Sequence, residues 1–354
     1  MTTTLRPTRV DFGRRTLRWR RLGLRVRFDV RTILVSAALG AAAIAVALLS
    51  LVTGDYEMSL GEAIGAIGDP DAGFAYTVVN EFRMPRILAA LLFGAALGAG
   101  GAIFQSITRN PLASPDIIGM SAGSHTGALV VLTWIGGSFQ QVALGSVIGG
   151  LGTAALVYVL AYSRGVQGYR MIVAGIAVAA MLTSLNTWLL LRAEHDTAVM
   201  ASVWNIGTLN GTSWSQVRGS ALTIGVLLAL AGVMARGMRQ LELGDEAARA
   251  HGVRVEPVRV ALILVAVGLT ATVTAVAGPI AFVALAAPQI GIRLARSAGM
   301  SLLPAATTGA LLLCSADFVA QHVLPEQMPV GIVTVVLGGV FLVWLLIHET
   351  RSRA

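Results

Sequence analysis

The sequence predicts an all-α, polytopic membrane protein with about ten transmembrane helices, and three observations carry that prediction. Of 354 residues, 55% are hydrophobic and 12% charged, with a mean hydropathy of +0.76. That leaves too little polar surface to cover a soluble globule of this size. The apolar residues fall in runs close to the ~20 residues that a helix needs to cross a hydrocarbon core about 30 Å thick. The arginines collect in alternate connections between those runs, the pattern that orients membrane helices.

The first run, 33–52, follows an arm in which ten of the 26 basic residues occupy the first 31 positions. The run has full spanning length and no convincing small-residue cleavage site after it, so it is an uncleaved span with a basic arm rather than a signal peptide. The arm serves either as an orientation signal or as a binding patch for anionic headgroups. The second run, 85–104, opens on Pro85, which loses no hydrogen bond in a first helical turn and already has helical φ. Gly94, Gly98, Gly100 and Gly101 then strip most of one face of side chains. Neighbouring backbones can approach such a face closely, so this helix belongs inside a bundle. Asn110-Pro111 ends it in a polar turn.

Further runs follow at 117–135, 142–162, 171–191, 217–234, 260–276, 280–294, 302–324 and 330–347. The seventh and eighth are short and separated only by Ala277-Gly278-Pro279. With a cytoplasmic N-terminus, an even number of spans places the arm, Arg109, Arg164, Arg170, the cluster from Arg236 to Arg259, Arg293, Arg296, Arg351 and Arg353 inside. Arg83, Arg86, Arg192 and Arg218 fall outside, among Asp55, Glu57, Glu62, Asp69, Asp71, Glu81, Glu194, Asp196 and Glu326. Removing one span would reverse every later connection, which argues for ten rather than nine or eleven. Ten spans divide into two halves of five in opposite orientations, the scaffold of alternating access. A glycine- and alanine-rich helix running into a proline-containing segment, at 94–115 and again at 271–288, hints at that repeat.

The same composition excludes several activities. The net charge of +8 follows from loop arginines and the arm, not from a stripe suited to nucleic acid. All basic residues are arginine, so the lysine of a phosphate-binding P-loop is missing and the chain carries no standard nucleotide-hydrolysing site. The lone Cys314 lies in an apolar run; it can form no internal disulfide and is assigned to buried packing. Five histidines without paired spacing supply no usual metal site. Gly119-Met120-Ser121-Ala122-Gly123 matches the G-x-S-x-G of a serine hydrolase, with His125 four residues on. The motif lies in an apolar helical run rather than on a strand-to-helix turn, and His125, placed beside Ser121 on a helix, supplies neither an acid nor an oxyanion hole.

Four blocks in order resemble one family. RMPRILAALLFGAALGAGGAIFQSITRNPLA resembles the hallmark segment of the FecCD-type permease subunits of bacterial importers for iron-siderophores, haem and cobalamin. LGDEAARAHG resembles that family's L-G-D-x-x-A-x-x-L-G loop, with His251 in place of the usual leucine. GPIAFVALAAPQIGIRLARSAG resembles its G-x-I-x-F-V-x-L-x-x-P-[HQ]-I block, with Ile292 where a second arginine is frequent. ADFVAQ, PEQMPVGIVT and Gly338-Gly339 resemble its closing signatures, with Gln321 where many relatives carry arginine. The resemblance runs from about Thr32 to the end. It implies the type II permease fold of ATP-binding-cassette importers, with a basic arm at 1–31, a ten-helix domain at 32–347, a coupling loop at 241–259 and a tail at 348–354. It also implies a bacterial inner-membrane protein with both termini cytoplasmic, and a transport subunit rather than an enzyme. The implied partners are two ATPase subunits that hold ATP and magnesium, an extracytoplasmic binding protein and a second, similar permease chain. This chain would bind no cofactor, and the cargo would be a ferric siderophore.

The candidate residues each admit two readings. Arg83 and Arg86 either anchor the outer face by snorkelling or, as the resemblance implies, receive carboxylates of the binding protein. Leu243, Gly244, Asp245, Glu246, Ala247, Ala248, Arg249, His251 and Gly252 form either a surface helix, capped by Asp245 and ended by Gly252, or the segment that docks into the ATPase. Thr183, Ser184 and Asn186 either line the translocation path or join helices. Asp317, the clearest intramembrane acid, either couples protons in a secondary transporter or serves structure through a hydrogen bond to a neighbouring helix. The tryptophans of 204–214 either face substrate or anchor the interface.

Overall fold

A computed structural model of the chain describes residues 16–21, 24–135, 138–162 and 168–353. The arm's first 15 positions and Arg164 lie outside the described residues. Strands β1 (Thr16–Arg21) and β2 (Leu24–Asp29) pair antiparallel, with Arg18 opposite Arg27 and Trp19 opposite Val26. This hairpin is an addition to the helical class that the sequence predicts. Its signal is the alternation of Leu24, Val26 and Phe28 with Arg25 and Arg27, a period of two that the density of charge had masked.

From Val30 onward the described chain is helical. The elements are α1 (Val30–Val52), α2 (Leu60–Gly65), α3 (Phe74–Thr108), α4 (Met120–Val130), α5 (Phe139–Ala161), α6 (Gly168–Arg192) and α7 (His195–Ile206). They continue as α8 (Trp214–Glu242), α9 (Asp245–Ala250), α10 (Val255–Ala277), α11 (Val283–Ala295), α12 (Leu302–Val323) and α13 (Val330–Arg353). Seven are long and apolar enough to cross a membrane. The other three predicted runs hold shorter helices: α11, the apolar part of α13, and the eleven-residue α4, which runs on into Val131–Ile135. All ten predicted runs therefore become helices, and the uncertain division near Gly278 is real, made by the left-handed Phe282 (φ 66°) between α10 and α11. The helices overrun the runs at the polar end of α8 and α10, where Val258 packs over Gly237 and carries both helices beyond the apolar stretch.

The core forms around α3, whose most apolar 18-residue window is 78% buried, against 11% for α1. A Cβ on Gly94, Gly98 or Gly101 would overlap the backbone carbonyl of Gly309, Ala305 or Ala284 respectively. The bare face thus seats α12 and α11 backbone to backbone, the close approach that small residues permit in membranes. Gly123 and Gly127 of α4 meet Gly145 and Gly149 of α5 in the same way. The packing pairs the second span with the ninth (α3 on α12) and the seventh with the fourth (α10 on α5), as an inverted five-and-five repeat requires.

The two ends of the bundle differ. One end gathers the start of α1, where Arg31 Nη2 donates to the Leu294 carbonyl, with residues 108–118, α9 and the 296–301 turn. The other end gathers 53–83, 193–214, 277–282 and 324–330, tied by Thr208 N donating to Ala277 O and Gly331 N to Gly207 O. Three π-helical stretches, Thr77–Arg83, Val131–Ile135 and Val319–Val323, lie at this second end. Its loop is also well capped: the backbone and hydroxyl of Ser59 bond Glu62 and hold that carboxyl below its ordinary range. Because the folded pKa is the lower one, this cap is intact above the ordinary glutamate range and is lost as pH falls through the folded value.

Candidate functional site

Arg86 stands one residue past Pro85 on α3 and points across to α12. Its Nε donates to Asp317 Oδ2 at 2.8 Å and its Nη2 to Oδ1 at 2.6 Å, a bidentate pair, while Nη1 donates to the side-chain carbonyl of Asn210. The two side chains are 18% and 7% exposed, so the pair is largely withdrawn from water. Asp317 therefore bonds a neighbouring helix, as the structural alternative has it, and its partner is a guanidinium. Both carboxylate oxygens accept from Arg86.

Arg83, one turn earlier, is held differently. Its Nη1 donates to Leu51 O and its Nη2 to Tyr56 O, each at 2.8 Å. Carbonyls fix a guanidinium without neutralising it. Asp55 offsets part of the Arg83 charge, whereas Asp317 pairs directly with Arg86. Both arginines line a cavity of about 520 Å³ open at this end, with Asp55, Tyr56, Phe74, Asp317 and His322 among its walls. Gln321, in the place of a frequent arginine, lines it too and donates to Met328 O at 3.1 Å. Trp214 donates from its indole to Asn80 O, and Asn80 in turn donates to Ala66 O. Trp214 is thereby a structural clamp on the loop before α3.

At the opposite end, α9 forms where the loop reading put it, with a different cap. Gly244 (φ 106°) is the N-cap and offers no side chain, so Asp245 is the first helical residue instead of the cap. Its carboxylate is engaged elsewhere: Oδ1 accepts from Arg259 Nη2 at 2.6 Å and from Arg109 Nη2 at 3.2 Å. Arg259 is buried and also donates to Glu256 at 3.0 Å. His251 ends the helix and Gly252 follows in the left-handed region, as predicted for the stop. Leu243 and Glu246 stand clear of the bundle while Ala248 is buried against it. Arg109 and Arg259 were visible in the sequence as basic residues; their pairing to one carboxylate was not, because the spacings of 136 and 14 residues follow no local rule.

The three polar residues of α6 divide. Asn186 is buried and bonds α4 twice, its Oδ1 accepting from Thr126 Oγ1 at 2.6 Å and its Nδ2 donating to Ala122 O at 3.1 Å. Thr183 and Ser184 are exposed and return their hydroxyls to Ala179 O and Ala180 O of their own helix. Asn186→Leu is expected to destabilise the α4–α6 contact by about 1 kcal/mol, near the usual worth of an interhelical hydrogen bond in a membrane. Thr183→Ala and Ser184→Ala are expected to leave stability unchanged; thermal unfolding in detergent separates the two outcomes.

Ser121 donates to Asp116 Oδ1 at 2.6 Å, so an acid five residues back adjoins it. His125 does not complete a triad: its ring lies against Trp204 with centroids 6.2 Å apart, and Nε2 makes no bond. The motif's Gly123 is spent on the contact with α5. Among the described residues no group of three or more histidine, cysteine, aspartate or glutamate side chains is placed to hold a metal ion.

Comparisons with known proteins agree with this arrangement. Residues 32–348 match the FecCD transport family. The ferric enterobactin transport system permease protein FepG of Escherichia coli (strain K12) is 50% identical over 277 residues, covering 78% of this chain and 84% of that protein. The achromobactin transport system permease protein CbrC of Dickeya dadantii (strain 3937) is 36% identical, covering 86% and 89%. Among solved structures, an inward-facing conformation of a putative metal-chelate type ABC transporter superposes with a TM-score of 0.78 at 25% identity, over 89% of this chain and 99% of that one. A family match across nearly the whole helical region makes this chain a member of the FecCD transport family.

Proposed function

We propose that the chain is the membrane-spanning permease subunit of an ATP-driven importer for a ferric siderophore, with no covalent chemistry of its own. The observation that carries this is α9: a short helix at one end of the bundle, presenting Leu243 and Glu246 outward and anchored by Asp245 to two other helices. A separate ATPase would dock there, and the arginine balance supports a cytoplasmic position for that end and for both termini. ATP would shift the bundle between outward- and inward-open forms because the ATPase binds the two unequally; equal affinity would shift nothing.

At the other end the binding protein would dock over the 520 Å³ cavity. Arg83 is the better receptor for its carboxylates, since it is bonded to carbonyls and not paired directly with a carboxylate, whereas Arg86 serves by positioning the mouth through Asp317 and Asn210. Two permease chains would enclose the path. The exposed Thr183 and Ser184, beside Met181 and Trp188 on the same helix, suit that shared wall. We favour a similar but non-identical partner chain. The rival reading, an ion-coupled transporter using Asp317, loses its proton carrier to the Arg86 pair.

Affinity purification of the tagged chain from its native membrane in mild detergent tests the proposal. An ATPase and a second permease chain are expected as stoichiometric companions, and the ATPase is expected to be lost when residues 245–252 are scrambled. A chain recovered alone and stable in both cases would refute the importer reading. Radio-iron-labelled ferric enterobactin is the first cargo to try in reconstituted vesicles.

A further inference from the structure

The connection between α8 and α9 is two residues long, Leu243-Gly244, and a carboxylate stands on each side of it. Glu242 Oε1 accepts from Ser106 Oγ at 2.9 Å and from Met300 N at 3.2 Å. Asp245 Oδ1 accepts from Arg109 at 3.2 Å. Ser106 lies in the last turn of α3 and Arg109 directly follows that turn. Arg109 is itself the left-handed residue that ends α3 (φ 51°). The segment that faces the ATPase is thus gripped at two points by the end of one helix, the most buried in the bundle.

That helix is rigidly continued. One residue before Ser106, Gln105 donates to Leu285 O at 3.0 Å and accepts from Gln289 at 2.7 Å, binding α3 to α11. The glycine face seats α11 and α12 along its length. At a rise of ~1.5 Å per residue, Arg86 and Arg109 lie about 35 Å apart on the same rod. Arg86 there holds Asp317 and Asn210, at the end assigned to the binding protein.

We infer that Glu242 and Asp245 form a clasp on Ser106 and Arg109 through which movement of α9 is delivered to α3, and along α3 to the Arg86 network. Ser106, Arg109, Glu242 and Asp245 are positioning residues in this role. Arg259 acts separately. Buried and fixed to Glu256, it holds α9 to α10 and keeps the helix in place when the clasp is cut. The inference rests on the importer reading, and its test is chosen so that the two fail differently.

The test uses the complete importer, with its ATPase subunits, purified by the tagged chain. Cys314, buried and the single cysteine, is replaced by serine, and Glu81→Cys on the exposed far end of α3 carries an environment-sensitive dye. ATP is expected to change the dye signal in this background. With Ser106→Ala and Arg109→Ala together, the ATPase is expected to copurify and hydrolyse ATP as before, while the ATP-driven signal falls at least tenfold; Arg109→Lys with Ser106 intact is expected to retain most of it. A second variant, without the dye site and in the Cys314→Ser background, replaces Ser106 and Glu242 by cysteine, which leaves the Arg259–Asp245 pair intact. Joining them with a short bis-maleimide is expected to restore ATP-driven uptake of radio-iron-labelled ferric enterobactin that the unjoined pair has lost. The inference is overturned by an unaltered signal in the double-alanine variant, by no ATP-driven signal in a background that still hydrolyses ATP, or by loss of the ATPase when the clasp is cut. It is equally overturned if joining the cysteines fails to restore function. Failure of any ATPase to copurify with the unaltered chain would instead strike at the importer reading.

Discussion

Gly101→Leu is expected to abolish recovery of the folded chain from the membrane, and Gly98→Leu to do nearly the same. A Cβ at Gly101 already overlaps the Ala284 carbonyl, and one at Gly98 the Ala305 carbonyl. The obstructing atoms are backbone, which cannot swing aside as a long side chain can. Overpacking a well-filled core by a few methylenes costs about 1–3 kcal/mol where side chains can adjust. Here α11 or α12 must move away from α3 as a whole, and the loss exceeds that range. Gly225→Ala and Gly232→Ala on α8 are the controls, since a Cβ at either meets nothing within 4 Å. They are expected to be neutral or to stabilise by up to about 1 kcal/mol through helix propensity. Fluorescence-detected size exclusion after a temperature series reads all four. A Gly101→Leu chain that elutes and melts like the parent would mean that α3 is not seated as described.

Arg86→Ala is expected to cost about 3–5 kcal/mol of stability, the range for breaking a buried ion pair and leaving its partner's charge uncompensated. Asp317→Ala is expected to cost a similar amount, because Arg86 is then left facing apolar α12. The combined Arg86→Met, Asp317→Leu chain is expected to recover most of the loss, since a well-packed apolar pair commonly replaces a buried ionic one without penalty. Arg83→Ala is expected to lose far less stability and to lower binding-protein-dependent transport. Thermal unfolding of the four chains in one detergent decides the matter. If Arg86→Ala melts with the parent, the arginine is held in reserve for a partner and the Asp317 pair contributes nothing.

How much of this could be read from residues alone depends on range. The ten helices were legible because a hydrocarbon slab imposes its length on each one separately, and a run such as 142–162 announces itself without reference to any other. The packing role of α3 was legible from its four glycines for the same reason. Pairings were not. Arg86 meets Asp317 across 231 residues, so the sequence presented an outer arginine and a lone intramembrane acid as two separate problems. Likewise Asp245 looked like a helix cap because caps are local, whereas its carboxylate is claimed by Arg109 and Arg259. Asn186 shows the middle case: its polarity on an apolar helix was plain, and its choice of α4 over the path needed the neighbour's position.

The three π-helical stretches at one end of the bundle have a consequence of their own. A π turn takes in one residue more than an α turn, and one residue corresponds to about 100° around the helix axis. Each of α3, α12 and the extension of α4 therefore changes azimuth as it passes through its wide turn. Two of these swivels, in α3 and α12, contribute walls to the cavity at this end, above the glycine layer that seats the two helices on each other. Side chains on the two sides of each swivel can be re-aimed independently, so the cavity wall can change shape while the seated layer that fixes the fold stays untouched.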